Sequence, residues 1–205
     1  VNPDATIVLS SAVGTDAQTV CESIAITNIT YTIAGGGTGA TVAGLPAGVT
    51  GSFAAGVFTI SGTPTATGPF NYTVTTTGTC TQTTANGSIT VNPNATIALS
   101  SAPATNAQAL CVSTAITNIT YTIAGGGTGA TVAGLPAGVT GSFAAGVFTI
   151  SGSPTATGPF NYTVTTTGTC VQTTANGSIT VNPDATIVLS SAVGTDAQTV
   201  CESIA

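Results

Sequence analysis

The first 25 residues of the chain, VNPDATIVLSSAVGTDAQTVCESIA, occur again without change as residues 181–205. A near copy begins at Val91, and residues 1–90 differ from residues 91–180 at only 11 positions. The chain is therefore a unit of 90 residues written twice and followed by the start of a third. Copying a module along a chain supplies length and multivalency, whereas copying an active site brings little, so the repeat favours a structural array.

The length of the unit suits one compact domain per copy. We expect one domain over residues 1–91, a second over 92–181 and the incomplete start of a third over 182–205. Nine of the 11 differences fall between positions 4 and 24 of the unit, so the copies differ mainly in their first strand and the loop after it.

The charge of the chain is unusual because Lys, Arg and His are all absent and only 6 acidic residues occur. Without cations a protein has no electrostatic means of holding nucleic acid. Proton transfer near neutral pH usually needs His, Lys or a tuned carboxylate, and the second unit contains none of these. No Cys or Asp cluster has metal-ligand spacing, and no apolar run is long enough to span a membrane. We therefore expect no nucleic-acid partner, no catalysis, no cofactor, no metal and no membrane insertion.

Apolar residues alternate with polar ones in several short runs of the unit. Residues 29–33 read ITYTI and residues 70–74 read FNYTV, which is the period-two pattern of strands with one buried face. Further runs lie at 6–10, 57–61 and 88–91, and glycine-, proline- or asparagine-containing turns separate them. About seven short strands per unit predict an all-β, two-sheet antiparallel sandwich, with residues 35–39, GGGTG, as an inter-strand loop.

Three segments of the unit together resemble a known family. Residues 44–48 read GLPAG, residues 56–64 read GVFTISGTP and residues 68–74 read GPFNYTV, and the pattern recurs from Gly134 to Val164 with Ser153 in place of Thr63. This pattern is similar to the immunoglobulin-like repeats of giant cell-surface adhesins of Bacteroidota, including gliding-motility adhesins. The resemblance implies tandem immunoglobulin-like sandwiches arranged head to tail in a secreted extracellular filament at the cell surface.

The five cysteines are separated alternately by 59 and 31 residues, which allows two regular pairings. One pairing joins Cys21 to Cys80 and Cys111 to Cys170, within each unit, and leaves Cys201 for a partner beyond the chain end. The other joins Cys80 to Cys111 and Cys170 to Cys201, between units. Loop entropy does not separate the two pairings, but head-to-tail stacking should keep the second set of thiols apart, so we expect the internal pairing. Disulfides indicate an oxidising compartment.

The function that these features favour is a structural stalk of a surface filament or adhesin. Its partners would be neighbouring repeats of the same chain, laterally associated filaments and surface glycans. Thr73, Thr75 and Thr77 form a row of hydroxyls that could make weak exposed contacts. The alternatives are a carbohydrate-binding module, which needs exposed aromatic residues, and an ice-binding repeat, which needs several such rows in register.

Overall fold

The computed structural model of the chain describes residues 2–190 and residue 197. In this part of the chain all regular structure is β-strand, with eight strands in residues 5–92 and eight in residues 95–182. Of the third unit expected over 182–205, only residues 182–190 and 197 are described. The strands are β1 Ala5–Leu9, β2 Ala17–Cys21, β3 Ile29–Gly35, β4 Gly37–Ala43, β5 Val49–Ala54, β6 Val57–Gly62, β7 Gly68–Gly78, β8 Thr84–Asn92, β9 Ala95–Leu99, β10 Ala107–Cys111, β11 Ile119–Gly125, β12 Gly127–Ala133, β13 Val139–Ala144, β14 Val147–Gly152, β15 Gly158–Gly168 and β16 Thr174–Asn182.

Each unit consists of two four-stranded sheets. In the first unit the strand orders are β1-β3-β6-β5 and β2-β8-β7-β4, and the second unit repeats them as β9-β11-β14-β13 and β10-β16-β15-β12. Neighbouring strands are antiparallel except for β2 on β8 and β10 on β16, which are parallel. The predicted all-β, two-sheet sandwich is confirmed, with eight strands per unit rather than about seven.

The additional strands lie where the sequence pattern is weak. β2 is a five-residue edge strand whose partner is parallel, and it lies outside the alternating runs of the sequence. The glycine-rich segment expected as a loop is mostly strand, because β3 ends at Gly35 and β4 begins at Gly37. Only Gly36 separates the two strands, so the chain passes from one sheet to the other in a tight turn.

The residues expected to point inward form the core of each sandwich. Ile29, Tyr31 and Ile33 of β3 are buried against Tyr72 and Val74 of β7, and equivalent residues fill the second unit. Val8, which lies between the inward-facing positions of β1, is 63% exposed. The alternation read from the sequence therefore has the correct phase.

A pair of buried tyrosines joins the two sheets of each sandwich. The hydroxyl oxygens of Tyr31, on β3, and Tyr72, on β7, are 3.0 Å apart, and Tyr121 and Tyr162 repeat the pair at 3.1 Å. Tyr72 lies over Gly87, its partner in register, where an added Cβ would be 2.3 Å from the Tyr72 hydroxyl. Burial raises the pKa of both Tyr72 and Tyr162 far above the usual value, so these phenols stay neutral hydrogen-bonding groups.

The strand directions give each unit two distinct ends. The entry end is where the first strand begins; Ala5 N donates to Thr81 O at 3.0 Å, which places the β7–β8 turn and its Cys80 there. The exit end is where the last strand finishes; β2 runs parallel to β8 with Cys21 opposite Asn92, which places Cys21 there. Each unit therefore carries one cysteine at each end.

Candidate functional site

The two units meet at a short connection. β8 finishes at Asn92 and β9 begins at Ala95, so only Pro93 and Asn94 lie between the sandwiches. Proline fixes its own φ and restricts the residue before it, which limits the freedom of this link.

Hydrogen bonds hold the connection to both units. On the side of the first unit, Glu22 N donates to Asn92 O at 2.9 Å. On the side of the second unit, Ala95 N donates to Val171 O at 2.9 Å, and Val171 N donates to the Asn94 side-chain oxygen at 3.2 Å. The Asn94 side-chain nitrogen also donates to Glu22 O at 3.5 Å, so the linking residue Asn94 bonds both the end of β2 and the β15–β16 turn.

A disulfide closes this junction. Cys21, at the exit end of the first unit, is bonded to Cys170, at the entry end of the second, with Cα atoms 5.5 Å apart across 149 positions of sequence. The Cys170 sulfur lies 3.9 Å from Asn92 O, beside the linking residues. The junction is thus crossed twice by covalent bonds, once by the backbone and once by the disulfide.

The predicted pairings Cys21–Cys80 and Cys111–Cys170 are wrong, because Cys21 and Cys170 are bonded to each other. Within one unit the two cysteines lie at opposite ends of β8, which spans nine residues, or about 30 Å. A disulfide needs Cα atoms within about 7 Å. The alternative pairing Cys80–Cys111 joins the entry end of one unit to the exit end of the next, which is farther still, and Cys201 lies outside the described residues.

The signal that could have revealed the pairing is the strand at residues 17–21. Recognising it as a parallel partner of the last strand would have placed Cys21 at the exit end and left Cys170 as the cysteine within reach.

The glycine turn between β3 and β4, and its copy between β11 and β12, packs closely against the entry end of each unit. A Cβ added at Gly126 would be 2.1 Å from the carbonyl oxygen of Pro93, and the equivalent Gly36 would meet Pro3 O at 2.3 Å and the Cys80 sulfur at 3.4 Å. Only glycine lets this turn approach the linking residues and the cysteine so closely. The glycine run of residues 35–39 predicted only an inter-strand loop, because the sequence does not show that the turn packs against the link.

The threonine row lies on the outer face of the sheet β2-β8-β7-β4. Thr73 and Thr77 are exposed and Thr75 is half-buried, while Thr76, in the opposite phase, is 1% exposed. Thr73 donates a hydrogen bond to the Asn86 side-chain oxygen on β8 at 2.7 Å, so part of its hydrogen-bonding capacity is used within the sheet. The role of these residues in contact with a surface stays a prediction.

The described residues 2–190 and 197 contain no cavity and no group of three metal-ligating side chains. No helix in that part of the chain is long and apolar enough to cross a membrane. The junction is therefore the most distinctive chemical feature that the structure offers.

Comparison with known protein families and with curated proteins found no match. Among solved structures, a fragment from the I-band of titin is similar with a TM-score of 0.60 at 10% identity, covering 82% of this chain and 63% of the fragment. A Glu-to-Ala variant of three titin immunoglobulin domains is similar with a TM-score of 0.61 at 11% identity, covering 89% of this chain and 67% of its own. At such identity the likeness establishes the fold, a tandem of immunoglobulin-like domains.

Proposed function

We propose that these units are structural stalk repeats of an extracellular surface filament or adhesin, which supply length and stiffness and present weak contacts in many copies. The observation that carries the proposal is the junction, where a link of two residues lies beside the Cys21–Cys170 bond. A bead-like chain needs only a linker, whereas a second covalent connection restricts the swing of one unit against the next. Such a restriction is useful to a protein that must keep its units in line.

Two observations support a position outside the cell. Structural disulfides persist in oxidising spaces and are rare where thiol reductants are abundant. The GLPAG and SGTP segments of residues 44–64 resemble those of Bacteroidota surface adhesins, some of which serve gliding motility. The uncharged faces of the sandwich would then meet the medium directly.

Contact with other surfaces would be weak at each unit and strong only in sum. The outer threonines offer hydroxyls to glycans, and repetition along an array multiplies a feeble interaction. The sheet edges carry no lysine to discourage pairing, so lateral association of filaments is part of the proposal.

The aromatic residues weigh against a carbohydrate-binding module. Tyr31, Phe58 and Tyr72 are at most 2% exposed, and Phe143, the exposed large aromatic among the described residues, is 37% exposed. A sugar platform needs an aromatic face that is open to solvent. The hydroxyl row on β7 also includes a half-buried member, Thr75, which an ice-binding face would need to expose.

The stalk proposal can be tested with fluorescent dyes on the two free thiols of the described chain, Cys80 and Cys111, in a variant carrying Cys201→Ser. The dyes report the distance from the entry end of the first unit to the exit end of the second. Since β7 has 11 residues, two units in line should separate the dyes by on the order of 80 Å.

We expect a narrow distance distribution near that value in the oxidised chain and a broader one after reduction. A broad distribution in the oxidised chain, or a distance under about half the expected value, would contradict a stiff stalk. Antibodies against residues 25–62, which are identical in both units, should label intact cells that make the protein; labelling only after lysis would contradict the surface location.

A further inference from the structure

The two cysteines left without a partner in the described residues are Cys80 and Cys111, at the outer ends of the two-unit segment. Cys80 lies at the entry end of the first unit and Cys111 at the exit end of the second. Each is the repeat equivalent of a cysteine that is bonded at the junction, because Cys80 matches Cys170 and Cys111 matches Cys21.

The surroundings of Cys111 repeat those of the bonded Cys21. Cys111 pairs in register with Asn182 as Cys21 pairs with Asn92. Val112 N donates to Asn182 O at 2.9 Å, as Glu22 N does to Asn92 O at 2.9 Å. Cys111 is exposed at the exit end, so this half of a junction is built and open.

The surroundings of Cys80 repeat those of the bonded Cys170. The Cys80 sulfur lies 3.7 Å from Asn2 O, and the Cys170 sulfur lies 3.9 Å from Asn92 O. Gln82 donates to the Cys80 carbonyl at 2.5 Å, and Gln172 donates to the Cys170 carbonyl at 2.6 Å. The half-junction at the entry end is thus also formed before any partner arrives.

We infer that Cys80 and Cys111 are cross-linking sites that join this segment to further units with the same pairing as Cys21 and Cys170. Cys111 bonds the cysteine that copies Cys80 in the following unit, and Cys80 bonds the cysteine that copies Cys21 in the preceding unit. This rests on the proposed repeat array, but not on its location at a cell surface.

The bond forms by exchange with an external disulfide, either a small-molecule or a protein disulfide, which acts as the oxidant. One thiolate attacks the external disulfide, forms a mixed disulfide and releases one thiol; the second thiolate then displaces the other. The two cysteines lose two electrons to the oxidant and two protons in all, and the oxidant leaves as two thiols.

The consequence is an array with overlapping covalent loops. The loop that Cys21–Cys170 closes contains Cys111, so the next loop begins before the first one ends. One continuous covalent route follows the 31 residues from Cys80 to Cys111, crosses a disulfide into the following unit and repeats this pattern every two units. A second route of the same kind, through the other cysteines, alternates with it.

These routes limit how far the array can be pulled out. Two unbonded units, residues 1–180, would extend to about 600 Å when unfolded, whereas the bonded route of 31 residues through the same two units extends to about 100 Å. In the folded array these 31 residues already span the length of two units, on the order of 80 Å. The oxidised filament therefore gains little length even when its domains unfold.

The inference can be tested by completing the third unit. Because residues 181–205 repeat residues 1–25, adding a copy of residues 26–90 after Ala205 completes it. Cys80→Ser removes the competing thiol of the first unit, and Cys201→Ser removes the cysteine whose peptide would be identical to that of Cys21. The protein is quenched with acid, its free thiols are alkylated, and it is then digested under non-reducing conditions. The protease cannot be trypsin, because the chain has no Lys or Arg. The neighbours Leu110 and Val112 identify the Cys111 peptide, and Val171 identifies the Cys170 peptide.

We expect two bonds, Cys21 to Cys170 and Cys111 to the added cysteine, with the free-thiol fraction at Cys111 falling from near one in the 205-residue chain to near zero. A bond from Cys111 to Cys170, or a Cys111 thiol that stays free while Cys21–Cys170 forms, overturns the inference.

An extension at the other end tests the inference without the added third unit. A copy of residues 1–90 placed before Val1, with Ser in the copy at the position equivalent to Cys80, should consume the Cys80 thiol, and a free Cys80 there would overturn it equally. The surface-labelling result does not bear on either outcome, so the two proposals fail separately.

Discussion

Removing the inter-unit disulfide should destabilise both sandwiches at once. If the first unit unfolds while the second stays folded, the chain from Cys21 to Asn92 is held at both ends against the second unit, and the loop has about 70 residues. Unfolding of the second unit alone leaves a loop of similar size, from Asn92 to Cys170. Loop entropy for this length is about 4 kcal/mol, so Cys170→Ser should lower the free energy of unfolding of each unit by about that amount.

The assay is thermal unfolding followed by circular dichroism or calorimetry. For a unit of this size, about 4 kcal/mol corresponds to a fall in Tm on the order of 20 °C. Reduction of the unaltered chain should reproduce the fall, and reduction of the Cys170→Ser variant should change nothing further. Cys80→Ser is the matched control, because it makes the same chemical change at the repeat equivalent of Cys170, where the thiol is free and half-buried, and should cost less than about 0.5 kcal/mol.

The reasoning is refuted if Cys170→Ser and Cys80→Ser lower the Tm equally, because the effect would then come from the serine and not from the lost bond. An unchanged Tm on reduction of the unaltered chain would refute it as well, since the disulfide would then stabilise neither unit.

Three further predictions concern the core and the link. Tyr72→Phe leaves the buried Tyr31 hydroxyl without its partner and should lower the free energy of unfolding in urea by about 1–2 kcal/mol. Adding Tyr31→Phe to that variant should lower it further by less than this amount, because the hydroxyl left unpaired is then removed. Because the pKa of Tyr72 and of Tyr162 is raised above 10, these tyrosines add no pH dependence to stability well below pH 10, and above it they lower stability by up to about 1.4 kcal/mol per pH unit each. Urea unfolding at a series of pH values would detect the fall, and a flat profile between pH 9 and pH 11 would contradict it. Inserting four Gly-Ser residues after Pro93 should lower the yield of the inter-unit disulfide in a glutathione redox buffer, measured by thiol counting, and an unchanged yield would show that the short link does not position the cysteines.

The core of the sandwich could be predicted from the sequence because alternation reports burial directly. Ile29, Tyr31 and Ile33 follow a period of two that only a half-buried strand satisfies, and all three are buried. The same reasoning failed for β4, where glycines that permit close packing were read as a loop.

The disulfide could not be predicted from cysteine spacing because spacing says nothing about which end of a sandwich each residue occupies. That information comes from the parallel pairing of β2 with β8, a long-range contact that leaves no periodic signal in five residues. Once Cys21 is placed opposite Asn92, chain connectivity brings Cys170 to it and carries Cys80 away.

The most direct test of this account is a non-reducing peptide map of the 205-residue chain purified from an oxidising environment. The peptide containing Cys21 should be linked to the peptide containing Cys170 and Val171. A mass spectrometer distinguishes that peptide from the Cys80 peptide, which contains Thr81 instead. A Cys21 peptide linked instead to the one containing Thr81 would show that each unit closes its own disulfide and that the junction is held by the backbone alone.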